Sequence, residues 1–334
     1  MKTIGITTTV PVETLLAAGY QPVDLNNVFM SAPSPEKLVN IAERDGFPLN
    51  ICSWIKGIYG VCKEYAIDNV LCVTTGDCSN TIMLMEVFKL KGFKVTQFAF
   101  PAQPDRQQMQ QALAGLAETF GTTLSMAEKI SVKLAPARAE VLKLDELTWK
   151  TGQVSGYENH FWLVSTSDFN RDYRKYYNDV SRLSRECRQR KPYPAEWLRL
   201  AYIGVPPVFA RDMYNYLENN EARAVFNEIQ HQFAMPHPGD SLAEQYTNYT
   251  YPYSIYGRLN DIKTETSRRG VDGIIHYVQA FCHRGIGDII FRESLGLPIL
   301  TLEGNQDFYL TQHTKTRIEA FLDLVRRNKP RRIR

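Results

Sequence analysis

The six cysteines, Cys52, Cys62, Cys72, Cys78, Cys187 and Cys282, are the residues of this chain best suited to chemistry. A thiolate serves as nucleophile, redox group or soft metal ligand. No two are spaced as C-x-x-C, so neither a zinc ribbon nor a thioredoxin-type motif is supported. P-loop, G-x-S-x-G and H-E-x-x-H motifs do not occur. The opening MKTIGITTTV carries no apolar signal-peptide region. The expectation is a cytoplasmic protein whose cysteines are ligands, catalytic groups or buried thiols rather than disulfides.

Two of these cysteines occupy equivalent places in two halves of the chain. Asp68 precedes a mostly apolar run that Cys78 closes ten positions later, and Asp272 and Cys282 repeat that spacing. Gly92 and Gly296 each follow fourteen positions after the cysteine and open the next run. Ile4-Gly5 with Val10-Pro11-Val12 is echoed by Ile203-Gly204-Val205-Pro206-Pro207-Val208. In an open parallel sheet, ligands gather beyond the carboxyl ends of the strands. Two such sheets facing one another aim Cys78 and Cys282 into one cleft. Cys52 lies just before a helical stretch, where free N–H groups and the helix dipole favour negative charge. Iron–sulfur chemistry suits such a setting.

The elements that must position these residues alternate. Asp68 to Thr74 reads as a buried strand, Asn80 to Lys91 as a helix, Val95 to Phe100 as a strand and Gln107 to Phe120 as a helix. Leu198 to Val205, Asp272 to Phe281 and Pro298 to Leu302 read as strands; Ile289 to Leu295 and Thr311 to Val325 read as helices. The stretch from Gly121 to Pro192 lacks strands, and Asp168 to Arg190 reads as one long helix with a polar face. The fold class is α/β: two Rossmann- or flavodoxin-like domains with parallel sheets, joined by a helical segment. The expected divisions are 1–125 with Cys52 and Cys78, a helical bridge over 126–195, and 196–334 with Cys282.

Composition narrows the function classes. The chain has 334 residues, 44% apolar and 22% charged, with a formal net charge of +3. General disorder is excluded by the apolar content. No apolar run approaches the ~18 residues of a membrane span. The near balance of charge argues against nucleic acid as partner. The basic tail from Arg326 to Arg334 reads as a solvated end that favours a helix C-terminus.

Four stretches together resemble the 2-hydroxyacyl-CoA dehydratase and benzoyl-CoA reductase family. They are GITTTVPVETLLAAGYQPVDL (Gly5 to Leu25), NICSWIKGIYG (Asn50 to Gly60), VTTGDCSNTIMLMEVF (Val73 to Phe88) and the long block from Asp272 to Leu324 that contains Cys282. The resemblance implies a [4Fe-4S] cluster held between the domains by Cys52, Cys78 and Cys282, with one iron open. It implies one-electron, radical dehydration or reduction of an acyl-CoA-type substrate under anaerobic conditions. It also implies an ATP-dependent iron–sulfur activator and a homologous partner subunit or homodimer. The chain departs from the pattern at Gly76-Asp77-Cys78-Ser79, where the acid precedes the cysteine, and at Gly304-Asn305-Gln306 after Glu303. These departures bear on the acyl-CoA substrate more than on the cluster.

Two alternatives stay open. A branch of the same family carries an [8Fe-9S] double cubane on six cysteines, which brings Cys62 in as an additional ligand. The other is an electron-transfer protein whose cluster never meets substrate. His283, beside Cys282, and the hydroxyls of Thr8 and Thr9 are the candidate catalytic groups. A structural histidine and a plain loop are the competing readings. Cys72 reads as strand core and Cys187 as a surface thiol on a charged helix. Five tyrosines between Tyr246 and Tyr256 read as aromatic packing.

Overall fold

The computed structural model describes residues 2–329. Eight strands form two sheets: β1 (Lys2–Ile6), β2 (Tyr20–Asp24), β3 (Asn69–Thr75) and β4 (Lys94–Ala99), then β5 (Leu198–Gly204), β6 (Ala222–Asn227), β7 (Gly273–Gln279) and β8 (Ile299–Gly304). Their orders are β2-β1-β3-β4 and β6-β5-β7-β8, and every pairing is parallel. The second sheet thus repeats the permutation of the first, and the faint sequence repeat has a structural counterpart. Gly92 and Gly296 match in conformation as well as place. Both take a positive φ, 81° and 64°, at the exit of a helix into the next strand.

The central strands β3 (NVLCVTT) and β7 (GIIHYVQ) are buried along most of their length. A parallel sheet is covered on both faces, so such strands read as continuous apolar runs and are legible in sequence. Two of the edge strands, β2 and β6, were not expected, whereas β4 and β8 at the opposite edges were. β2 is YQPVD, with a proline in a short edge strand, and β6 is ARAVFN, with a buried Arg223 inside it. Their weak apolar signal hides them.

The chain from 121 to 192 contains no strand. The long helix Leu124–Glu146 packs against helices Val12–Ala17 and Tyr173–Cys187. The expected single helix from Asp168 to Arg190 is corrected. Phe169, Asn170 and Arg171 all adopt positive φ, and helix Tyr173–Cys187 begins only after Asp172. Two aspartates enforce this break: Asp168 accepts from the Asn170 amide, and Asp172 from those of Arg174 and Lys175.

Cys187 is also corrected. It is fully buried, because Tyr176, Val180, Ser184 and Cys187 form the inward stripe of their helix. The charged flanks of Cys187 occupy the other face. Of the basic tail, residues 330–334 lie outside the described residues.

Candidate active site

Cys52 is placed by a buried helix and a tethered loop. Helix Ser53–Glu64 is buried over its first ten residues. It crosses helix Pro35–Arg44 so closely that a Cβ at Gly60 would stand 2.0 Å from the Leu38 carbonyl oxygen. Lys56, fully buried, pairs with Glu43 at 2.6 Å and donates to the Leu49 carbonyl at 3.1 Å, holding the loop that leads to Cys52. Ser53 then reaches the second half. Its hydroxyl donates to the Asn305 carbonyl at 2.5 Å, and Gln279 Nε2 donates to Ser53 Oγ at 3.1 Å and to the same carbonyl at 2.8 Å. The cysteine at the head of this helix is therefore clamped to the carboxyl ends of β7 and β8.

Cys78 and Cys282 follow β3 and β7. Each precedes a helical segment, Asn80–Leu90 for the first and the 3-10 turn His283–Gly287 for the second. Phe281 adopts φ 64°, a conformation that disfavours a side chain, immediately before Cys282. The two cysteine loops are joined directly. Arg284 donates to the Gly76 carbonyl at 3.2 Å and to the Tyr251 carbonyl at 3.4 Å, and its guanidinium stacks 4.4 Å from the Tyr251 ring centroid. The Tyr251 hydroxyl donates to Asp77 at 2.9 Å.

These constraints bring Cys52, Cys78 and Cys282 to one cavity between the two sheets, with about 870 Å3 of empty space. Its wall is largely apolar, including Met30, Trp54, Ile55, Ile58, Val164 and Phe233. Polar groups interrupt it at Thr7, Thr8, Asn26, Asn80 and Gln279. Burial pushes the Cys52 thiol up to about 11, against the pull of the Ile55 and Trp54 amides, and Cys282 adds repulsion. Burial takes Cys78 to about 12, with Asp77 and the other two cysteines adding repulsion. Among the described residues, no three His, Cys, Asp or Glu side chains converge closely enough to hold a single metal ion.

The other cysteines lie elsewhere. Cys62, the expected additional ligand, is in the core behind its helix, near Cys72, and does not line the cavity. Cys72 is strand core. Of the two candidate threonines, Thr8 lines the cavity and Thr9 does not; Thr9 is buried in the loop beyond. His283 lines the cavity at an exposed position. Its pKa is lowered by partial burial and by Arg284. The tyrosine run packs as a cluster, with Tyr246, Tyr249 and Tyr253 around Phe100.

Residues 7–325 match the family described as 2-hydroxyglutaryl-CoA dehydratase, D-component. The chain belongs to this family. The match runs from the threonine loop after β1 and includes all three cavity cysteines. Among curated proteins no relative matches. Two solved structures align over nearly the whole chain at low likeness. They are the periplasmic heme-binding protein BhuT with two hemes (12% identity, 98% of this chain and 97% of that one, TM-score 0.23) and the SBP FpvC from P.aeruginosa with Ni2+ (15% identity, 99% of each chain, TM-score 0.23). Neither bears on fold or function at that score. No helix of the described residues is long and apolar enough to cross a membrane.

Sequence reasoning missed Asp24, Asn26, Tyr251, Gln279 and Arg284 at the cavity. Gln279 and Arg284 had a usable signal, since they flank Cys282 on a strand end and a turn. Asp24 and Tyr251 had none, because an unrecognised edge strand and a loop deliver them.

Proposed function

We propose that Cys52, Cys78 and Cys282 hold an iron–sulfur cluster in the cleft and that the chain acts on a 2-hydroxyacyl-CoA-type substrate as a dehydratase component. The observation that supports this reading is the convergence of these three thiols, and no other, on one cavity of a dehydratase-family chain. The donor set suits the group. Three soft sulfurs meet there, and for Cys52 and Cys78 ionisation is opposed by burial and by their neighbours, which favours a positively charged partner in place of their protons. Cys52, Cys78 and Cys282 would be the residues that hold such a cluster. When bound, such a cluster supplies low-potential one-electron transfer and, with three protein ligands, an open iron.

The chain's own residues have separate tasks. The apolar wall excludes water from the cleft. The Thr8 hydroxyl and the side-chain amide of Asn80 offer hydrogen bonds to substrate oxygens, while Asn26 Nδ2 is already committed to the Thr7 carbonyl at 2.8 Å and to Asp24 at 3.0 Å, and Thr7 Oγ1 to the Val73 amide at 3.0 Å. The clamp of Gln279 and Ser53 and the bridge of Arg284 and Tyr251 fix the spacing of the cysteine loops. An ATP-dependent activator and a second subunit complete this reading. The placement of Cys62 in the core tells against the double-cubane alternative.

The test is anaerobic turnover of 2-hydroxyglutaryl-CoA by the reconstituted chain with an ATP-dependent iron–sulfur activator, with and without a co-expressed homologous subunit. Enoyl-CoA formation that is lost in Cys78→Ala supports the reading. A stable cluster with reversible reduction but no turnover of any acyl-CoA would favour electron transfer instead.

A further inference from the structure

Two buried carboxyl groups straddle the wall between the cysteine cavity and a second, more open one. Asp24, at the end of β2, lines the cysteine cavity. Asp168 lines the neighbouring groove, with about 1130 Å3 of empty space, together with Asn170 and Arg171. Asn27, Met30 and Val164 border both. Asp168 Oδ2 accepts the backbone amide of Asp24 at 2.8 Å, and the Asp24 charge raises the Asp168 pKa, so the two carboxyl groups are neighbours.

Neither group has an ion-pair partner among the described contacts, although Asp24 is 1% exposed and Asp168 6%. Asp24 Oδ1 accepts from the Asn26 amide and side chain at 2.9 and 3.0 Å. Asp24 Oδ2 makes no hydrogen bond of good geometry among the described residues, although the Ser167 hydroxyl is near enough to lower the Asp24 pKa. Two adjacent buried carboxylates cannot both ionise cheaply, so they retain a proton. A carboxyl oxygen left free at a cavity wall is placed to deliver one.

We propose that Asp24 and Asp168 form a one-proton carboxyl pair that relays protons from the open groove to the cysteine cavity, with Asp24 as the acid and base that meets the substrate. In the transfer step the Asp24 O–H bond breaks and an O–H bond forms on a substrate oxygen, leaving the Asp24 carboxylate. Asp168, facing the groove, then takes a proton from a hydronium ion or buffer acid, whose water or conjugate base returns to solvent, and its new O–H bond breaks as the proton passes to Asp24. Asp24 is the catalytic residue and Asp168 the positioning residue.

The surroundings agree with this assignment. Burial raises the Asp24 pKa against the pull of Ser167 and Asn26. Burial, then the Asp24 charge, takes Asp168 up to about 7. The charged and titratable groups facing the pair are few. Arg171 lies beside Asp168 and lowers it slightly, and Tyr176 stands behind Asp168 with its own ionisation suppressed by burial. On the cavity side are the three cysteines, Asp77, His283 and Arg284. The left-handed turn Phe169–Arg171 has a role in the same geometry, since Asp168 Oδ1 holds it through the Asn170 amide at 2.9 Å.

The test has two arms, and the second rests on the function proposed above. First, infrared spectra of the full 13C-aspartate-labelled chain are recorded from pH 5 to 9 for wild type, Asp24→Asn and Asp168→Asn. A protonated carboxyl band with a midpoint near pH 7 is expected in wild type. In either variant its midpoint falls by about one unit or the band disappears, because the like-charge neighbour is gone. Absence of that band in wild type above pH 5.5, or the same midpoint in both variants, would overturn the pair. Should one variant not fold, the wild-type titration and the other variant decide.

Second, in anaerobic turnover of 2-hydroxyglutaryl-CoA, Asp24→Asn lowers kcat about 100-fold or more with KM within about threefold, and Asp24→Glu recovers part of it. An Asp24→Asn variant with wild-type kcat would overturn the catalytic role. If wild type itself does not turn over this substrate, the functional reading fails, while the infrared result still decides whether the proton is shared.

Discussion

Tyr251 and Asp77 join the two halves of the chain at the cysteine cavity: the tyrosine hydroxyl donates a 2.9 Å hydrogen bond to a carboxylate that precedes Cys78. Arg284, two residues after Cys282, stacks on the same tyrosine ring and donates to the Gly76 carbonyl. One loop cysteine is thereby registered against the other through a side chain from a third segment. Replacing Tyr251 by Phe removes the donor and leaves Asp77 short of a partner. The expected cost is about 1–2 kcal/mol in urea unfolding. Iron retention after anaerobic gel filtration is expected to fall as well, and unchanged stability and retention would show that the latch does nothing.

The buried Lys56 yields a prediction about Cys52. Its ammonium holds Glu43 and the Leu49 carbonyl, and Gln306 donates to the same two oxygens at 3.4 and 3.3 Å. Lys56→Ala leaves these acceptors only the longer bonds from Gln306 and loosens the loop before Cys52. A loss of about 1–3 kcal/mol is expected, at the lower end because Glu43 is partly exposed. Faster alkylation of Cys52 in the apo chain should accompany it. Wild-type alkylation kinetics would contradict the tethering role.

The cysteines divide into two groups by burial and direction. Cys62→Ala is expected to cost about 1 kcal/mol as a small core cavity and to leave iron content intact. Cys187→Ala should behave the same way, since the thiol is buried in the apolar core to which the long helix also contributes. Loss of iron in Cys62→Ala would return the double-cubane reading to favour.

The pH dependence of stability carries a sign. Asp168 has a folded pKa raised from 3.8 to about 7, chiefly by burial and then by Asp24. The folded state therefore holds a proton that the unfolded chain releases. The contribution is fully present below pH 3.8 and is lost as pH rises toward 7, after which it is flat. Asp168→Asn should flatten this part of the curve, so the variant loses less stability than wild type between pH 4 and 7 in matched melting series. Parallel curves would show that Asp168 titrates normally.

The sequence made the central strands and the cavity cysteines legible for one physical reason. A parallel sheet buries β3 and β7 on both faces, so their apolar runs stand out, and the cysteines mark where each run ends. The expected helices at Asn80, Gln107 and Thr311 fall on Asn80–Leu90, Arg106–Thr119 and Gln312–Asn328. What stayed hidden lies on short edge strands and in loops. Asp24 arrives on β2, whose proline and polar residues obscure it. Tyr251 arrives on a turn whose aromatic content reads as packing. Cys187 misled because local charge describes only the outer face of its helix, whereas the buried stripe is set by a distant partner.

The measurement that bears most directly on the account is iron and acid-labile sulfide per chain, on protein purified without oxygen, with an EPR spectrum after reduction. About four irons per chain are expected in wild type, Cys62→Ala and Cys187→Ala. Cys52→Ala, Cys78→Ala and Cys282→Ala should each lose them. No iron in the wild-type chain, even after anaerobic reconstitution, would contradict the assignment of the three cavity cysteines.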